Sequence, residues 1–448
     1  MNIVKMAFWN FRTNLRNYSP LFLSLGFSVL VLFNFLTILF TDAFSAVGEP
    51  DTGRINYVIE AGVFILGCFM IFYIGYSAAV FLAKHKKESG VYVVMGLSNE
   101  RVGRLYMAEI FMTGLAVLVS GIFFGMLTTP LFQMILGAVS DIEVELTFQF
   151  AAEPFFITTG IFLLLYSVFA VRGYRNIVRS SVFDMIPAAM TRDRIMVRPK
   201  GLVYRTVSGI GILSAGYYLS VKRGGAEAAG TFCMSAILML WGIYLVFGGL
   251  IPLLFSSLAD NKLFLYRKER TLWINNVAWR MKKNYRTYAT ACMLMLCAVM
   301  VLTAGFAVKE RYKVTGIIAD CGTTGWIKIP YAIAIWIFLV FAAAGGSAIL
   351  MKAFSDALEE RERYVLLRKM GLDSEILGRS ITRELRTIYI CPFVLTVISS
   401  YFSISALEKL TAVDLRSIYF VSLFIIFLLF MLLYLLSVTL YRRNAGNE

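Results

Sequence analysis

The sequence predicts an all-α, polytopic membrane protein with about ten transmembrane helices, arranged as two parallel four-helix units plus a two-helix insert. Three observations carry this expectation. Hydrophobic residues make up 59% of the chain and the mean hydropathy is +0.73, far above a soluble domain. Apolar runs long enough to cross about 30 Å of hydrocarbon as helix recur from one end to the other. One polar stretch also occurs twice: Met95-Gly96-Leu97-Ser98-Asn99-Glu100-Arg101-Val102-Gly103-Arg104 returns 275 positions later as Met370-Gly371-Leu372-Asp373-Ser374-Glu375-Ile376-Leu377-Gly378-Arg379, with Glu109 matched by Glu384.

Taken in order, residues 1–18 place Phe8, Trp9 and Phe11 among Lys5, Arg12 and Arg16. They read as an amphipathic helix in the inner membrane interface, or as a positively charged flank. The following run reads as a first span rather than as a cleaved signal. Spans at 19–41, 57–82, 106–137 and 154–172 complete a first unit (1–180). A basic linker from Arg172 to Arg205 leads into an insert (181–260) with spans at 204–220 and 229–256; Gly209, Gly211 and Gly216 dilute the first of these two. Trp279, Asn284, Arg286 and Tyr288 then repeat Trp9, Asn14, Arg16 and Tyr18 at an offset of 270. They open a second unit (261–448) with spans at 287–308, 330–351, 386–406 and 417–440. Each unit starts on the same side and has an even number of spans, which implies a pseudo-two-fold axis along the membrane normal. In the eighth span, Ala342 to Ala348 with Gly345 and Gly346 allow close helix packing or a kink.

The formal charge of +15 fits this topology. With both termini cytoplasmic, only nine of the 43 Lys and Arg fall in outer loops, as the positive-inside rule requires. Anionic membrane lipids are the expected counterpart, and no nucleic acid is expected, since an aromatic-interleaved basic domain is missing. The loop between the third and fourth spans is acidic, with Asp141, Glu143, Glu145 and Glu153, and its alternation over 142–150 suggests a short strand. Five of the six cysteines lie in or beside apolar spans as small hydrophobes, and Cys321 lies on an outer loop; no disulfide framework is read.

The duplicated stretch is a helix–turn–helix. Gly96 sits where a helix end takes a left-handed residue. Leu97 follows, Ser98 is a good N-cap, and Glu100 lies in the first turn of the next helix, where a carboxylate suits the dipole. The second copy repeats the mechanism with Gly371, Leu372, Asp373 and Glu375, after Met370 in the place of Met95. A tight turn tied rigidly to two spans transmits a push from a soluble partner into the membrane, and a pair of them suits a dimeric partner. A duplicated protein that merely keeps a duplicated loop is the plainer alternative.

These residues resemble FtsX-like ABC transporter permeases. Asn14-Leu15-Arg16-Asn17-Tyr18 is similar to an entry motif of the BceB-type branch, associated with bacitracin-type antimicrobial-peptide resistance. Lys87 through Gly90, Val91-Tyr92 and Met95-Gly96-Leu97 are similar to a first FtsX-like core, and Arg361 to Arg379 to a second. The resemblance implies a permease in a bacterial plasma membrane working with a cytoplasmic ABC ATPase dimer, often beside a sensor histidine kinase. It also implies mechanical coupling of hydrolysis to an amphipathic or lipid-linked substrate at the outer leaflet. One departure is that BceB-type permeases carry a large extracytoplasmic domain between spans seven and eight, where this chain has Lys309 to Lys328. Substrate selection is then expected in the membrane, at the short outer loops or on a separate partner.

The chain has no G-x-x-x-x-G-K-[ST], so ATP is left to a partner subunit and no cofactor is expected. No catalytic site is read, and the one histidine, His85, is expected to be solvated rather than a metal ligand. Glu60, Glu109 and Glu384 sit near span ends, within expected reach of the interface, which argues against an ion-coupled transporter needing buried carboxylates. A different class also fits: a non-transporting signalling subunit that relays ATPase state to a sensor kinase or a cell-wall hydrolase. A kinase–regulator pair encoded beside the gene discriminates in favour of signalling or resistance.

Overall fold

The computed structural model describes residues 3–13, 15–40, 49–140, 152–180, 200–222, 228–260, 270–314 and 325–444. Among them there are only helices: α1 (Ile3–Thr13), α2 (Leu15–Phe40), α3 (Glu49–Val94), α4 (Asn99–Ser140), α5 (Ala152–Arg179), α6 (Lys200–Val221), α7 (Ala228–Gly248), α8 (Leu250–Asp260), α9 (Arg270–Val314), α10 (Gly325–Glu359), α11 (Arg361–Lys369), α12 (Ser374–Thr411) and α13 (Arg416–Asn444). The protein is an all-α, multi-pass membrane protein. Eight helical stretches are long and apolar enough to cross a bilayer; Leu25–Phe40 is a shorter apolar segment and the glycine-diluted α6 is not among the eight. The strand expected over 142–150 and Cys321 lie outside the described residues.

Two compact units divide the chain, one of Met1–Arg192 with Asp320–Ile333, the other of Asp193–Ala319 with Ala334–Glu448. In the first, small residues let helices approach as apolar packing in lipid demands. Gly121 of α4 faces Val29 of α2, and Gly114 faces Tyr166 of α5, whose hydroxyl donates to the Ile110 carbonyl at 2.9 Å. Buried Asn34 of α2 is satisfied by the Thr128 and Thr129 hydroxyls of α4. Helix α5 buries a single stripe, Pro154, Thr158, Phe162, Tyr166, Ala170, Gly173 and Ile177. The spacing of three to four residues puts that stripe on one face and leaves the rest to lipid.

In the second unit, α9 is largely enclosed. It is kinked at Asn284 (φ −112°, ψ 17°), the position that separates the expected interfacial segment from span seven. The Asn284 side chain donates to Asp356 at 3.0 Å, and Lys352 pairs with the same carboxylate at 2.8 Å. Gly345 of α10 lies against the Ala291 carbonyl and Gly346 against Leu433 while α10 runs unbroken, so the small residues of span eight serve packing and not a kink. The insert helices α6 and α7 pack closely on each other, with Gly242 against the Leu213 backbone, and dock on α12 through a Tyr217–Ser399 hydrogen bond of 2.7 Å and a Tyr217–Phe402 stack.

Helices α3 and α4 contain 46 and 42 residues, about 69 and 63 Å at 1.5 Å per residue. Each is roughly twice the thickness of the hydrocarbon. From Ala79, where the most apolar window of α3 ends, the helix runs on to Val94. The turn that follows therefore stands roughly 25 Å beyond that window.

Candidate functional site: two helical hairpins and the polar junctions at their base

Both turns close the same way. After α3, the Gly96 amide donates to the Val93 carbonyl and the Leu97 amide to Tyr92; after α11, the Gly371 amide donates to Arg368 and Leu372 to Leu367, all within 2.9–3.1 Å. These are the two bonds of a Schellman ending, which needs a left-handed residue at its centre; Gly96 has φ +96° and Gly371 φ +91°. The apolar contact that accompanies the motif is present in the second copy, where Leu367 and Leu372 pack on a cluster of Ala353, Ala357, Tyr364, Leu377, Ile381, Leu385, Val438 and Tyr441.

The following helices start as expected, with one difference. Asp373 is extended and its side chain accepts from the Glu375 amide at 3.2 Å. The Ser98 carbonyl accepts from the Arg101 and Val102 amides, as the Asp373 carbonyl does from Leu377, but only Asp373 adds a side-chain cap. Glu100 pairs with Arg104 at 3.7 Å, and Glu375 with Arg379 at 2.7 Å; both pairs are exposed and worth little to stability. The turns present bare apolar side chains: Val91, Val94 and Met95 at the first, Leu366 and Met370 at the second are all more than half exposed. A projecting rigid turn with an exposed methionine flanked by charge is suited to seat in a groove of a partner.

The base of each hairpin holds a buried polar junction. In the second unit Arg280 of α9, 1% exposed, donates through Nη2 to Glu360 and to the Tyr441 hydroxyl, each at 2.5 Å. Its Nε lies 2.5 Å from Glu384 Oε1 without hydrogen-bonding alignment, so that contact is a charge contact rather than a directed bond. Glu384 also accepts from Asn276, which in turn accepts from Arg363, and Glu360 accepts from Tyr364 at 2.7 Å. Burial first, and then the Glu384 and Glu360 carboxylates, push the Tyr364 phenol well above its ordinary range, so it stays a donor. One guanidinium thus ties together the segment before the α9 kink, the residue between α10 and α11, helix α12 and helix α13. Removing one member of a buried, fully engaged ion pair typically costs about 3–5 kcal/mol.

The first unit has a junction at the same places. Asn10 of α1 donates to Glu109 at 2.9 Å and to the Tyr92 hydroxyl at 3.2 Å. His85 Nδ1 lies 3.4 Å from both Glu109 and Glu88, and its ring packs 4.3 Å from Phe81. One expectation is corrected here. His85 is 6% exposed, so the histidine is not solvated; Phe81, Tyr106 and the carboxylates of Glu88 and Glu109 surround it. Glu109 and Glu384, at 2% and 1% exposure, are enclosed by protein, whereas Glu60 is exposed. Each buried carboxylate is held by donors or positive charge.

The outer face of α1 exposes Phe8 and Trp9, and Lys283 sits 4.5 Å over the Trp279 ring on α9. Both are consistent with segments lying along a membrane surface. The five described cysteines are free thiols, and among the described residues no cluster of His, Cys, Asp and Glu could hold a metal ion.

Residues 58–182 match the FtsX-like permease C-terminal family, a segment that contains the first turn, His85 and Glu109. The chain is 27% identical over 316 residues to the uncharacterized ABC transporter permease YvcS of Bacillus subtilis, covering 70% of this chain and 48% of that protein. It is 23% identical over 293 residues to the bacitracin export permease protein BceB of the same organism (63% and 45%), and 25% identical over 295 residues to the ABC transporter permease protein YxdM (64% and 45%). The chain spans about half the length of the curated relatives it matches.

Proposed function

We propose, from the FtsX-like permease domain at residues 58–182 and the homology to ABC transporter permeases, that this chain is the membrane subunit through which a separate cytoplasmic ATPase acts. The observation that carries the reading is the pair of Schellman-ended hairpins with exposed Met95 and Met370. Two copies of one rigid knob match the two equivalent faces of an ATPase dimer. The first knob is continuous with α3 and α4; the second is continuous with α12 and joins α10 through the short α11 and the single residue Glu360, so a displacement at either turn has a helical route to the membrane.

The substrate class we assign is amphipathic or lipid-linked. The name of one relative, a bacitracin export permease, supports antimicrobial-peptide resistance as the physiological setting. The apolar, Phe-rich outward faces of α4, α5 and α13 suit such a ligand better than a hydrophilic solute. The test is co-purification of the full chain with the ATPase encoded beside it. Capture through the wild type and loss of capture in a Met95→Asp/Met370→Asp variant that still inserts supports the reading; capture that is indifferent to both turns overturns it.

A further inference from the structure

The internal repeat that aligns Glu109 with Glu384 also aligns His85 with Glu360, at the same offset of 275, and Asn10 with Arg280, at the offset of 270 that relates Trp9 to Trp279. Those six residues are the ones the structure gathers into two buried junctions, Asn10–His85–Glu109 and Arg280–Glu360–Glu384. Three positions that are far apart in sequence meet in both units although two of the three residues have changed in kind. What the two sets share is the placement: one residue on the interfacial segment, one 11 positions before the turn glycine, and one 13 positions after it on the helix leaving the hairpin.

We propose that these three positions form the joint that makes each hairpin and its interfacial segment move as one body, with Arg280 as the positioning residue of the second joint. The assignment of what drives the hairpin rests on the coupling-subunit reading above; the mechanical assignment does not. Geometry makes Arg280 suited to this. Its guanidinium engages carboxylates on both sides of the Gly371 turn, Glu360 before it and Glu384 after it, and a hydroxyl on α13. Sliding the hairpin along α9 would separate a buried cation from one of two buried anions, which is far costlier than sliding an apolar contact. The first joint is built from Asn10, His85 and Glu109, with Glu88 also 3.4 Å from the imidazole.

The repeat supplies its own test. Arg280→Asn removes the guanidinium and leaves two buried carboxylates; Arg280→Asn with Glu360→His installs in the second unit the set that the first unit already uses. Spin labels placed at Lys282 and Lys369, in the full chain with its native cysteines replaced, report the distance between the interfacial segment and the hairpin. The chain is held in nanodiscs of phosphatidylethanolamine and phosphatidylglycerol. The expected result is a narrow distribution in the wild type, a broad one in R280N, and recovery of the narrow one in R280N/E360H. A merely structural filler role would not produce recovery by a change of opposite charge character at a different residue. An R280N distribution as narrow as the wild type, or a double variant that inserts and stays broad, overturns the proposal. If R280N alone fails to accumulate, the double variant decides in the same way.

With the ATPase added, stimulation of hydrolysis over the free ATPase should fall to none in R280N and return in the double variant. Absence of ATPase capture by the wild type would sink the coupling-subunit reading while leaving the distance result to decide the joint.

Discussion

At Gly96 and Gly371 the backbone is left-handed, and a Cβ built on either would meet no heavy atom within 4 Å. The requirement for glycine is therefore conformational and not one of space, which separates two substitutions. Gly371→Val is expected to destabilise the hairpin by about 1–2 kcal/mol, the cost of an L-residue in this region. Gly371→Asn, a residue that visits it readily, should lose less than about 1 kcal/mol; unfolding in mixed micelles measures both, and equal losses would mean that the turn geometry is not what matters. The cap is also testable. Asp373→Ala should speed hydrogen exchange at the Glu375 amide, by the equivalent of about 0.5–2 kcal/mol, and Asp373→Asn, which keeps an acceptor oxygen in the same place, should restore protection. These features were legible in sequence because caps and glycine C-termini are local signals. The junctions were not. Nothing within a few residues of His85 or Arg280 marks them as buried, since their enclosure depends on which helix crosses over them. Only the repeat offsets, 275 for His85 and 270 for Asn10, point to their counterparts in the other unit.

Among the helices, the long ones were the more readable. Span two runs on as one charged helix to the Gly96 turn, through Lys84, Lys86, Lys87 and Glu88, despite Gly90 and the β-branched residues after it. The kink of α9 at Asn284 falls at the repeat position that the sequence places between interfacial segment and span. What sequence could not give was which glycines are contacts. In the insert, Gly249 breaks α7 from α8, and a Cβ there would stand 2.6 Å from the backbone nitrogen of Thr206, whereas Gly211 on α6 faces open space. Gly249→Ala is therefore expected to destabilise the chain by about 1–3 kcal/mol through overpacking. Gly211→Ala should be neutral or stabilise by up to about 1 kcal/mol through helix propensity. A thermal shift series in one detergent compares them, and a destabilising Gly211→Ala would contradict the packing described for α6.

For the molecule as a whole, the decisive quantity is how many helices cross, because each one that does not reverses the side of everything after it. Eight helical stretches are long and apolar enough, and the expected ten include two more, Leu25–Phe40 and the glycine-rich α6. The two turns report on these separately. If α6 fails to cross, Met370 lies on the opposite side of the membrane from Met95. If only the first apolar helix fails, the turns stay together but lie across from residue 1. If all ten cross, both turns lie on the same side as residue 1, the cytoplasmic side where the basic residues are expected, as dual engagement of one ATPase dimer demands. Met95 and Met370 are 65% and 74% exposed, so a cysteine at either is accessible without disturbing the core. In a cysteine-free background, Met95→Cys and Met370→Cys are expected to resist an impermeant maleimide on intact cells and to react fully once the membrane is opened. A cysteine at Glu143, in the acidic loop, should react from outside. Labelling of Met370→Cys alone on intact cells would place the second hairpin outside, reduce the span count by one between α5 and α11, and remove the basis for a two-point contact with a single cytoplasmic partner.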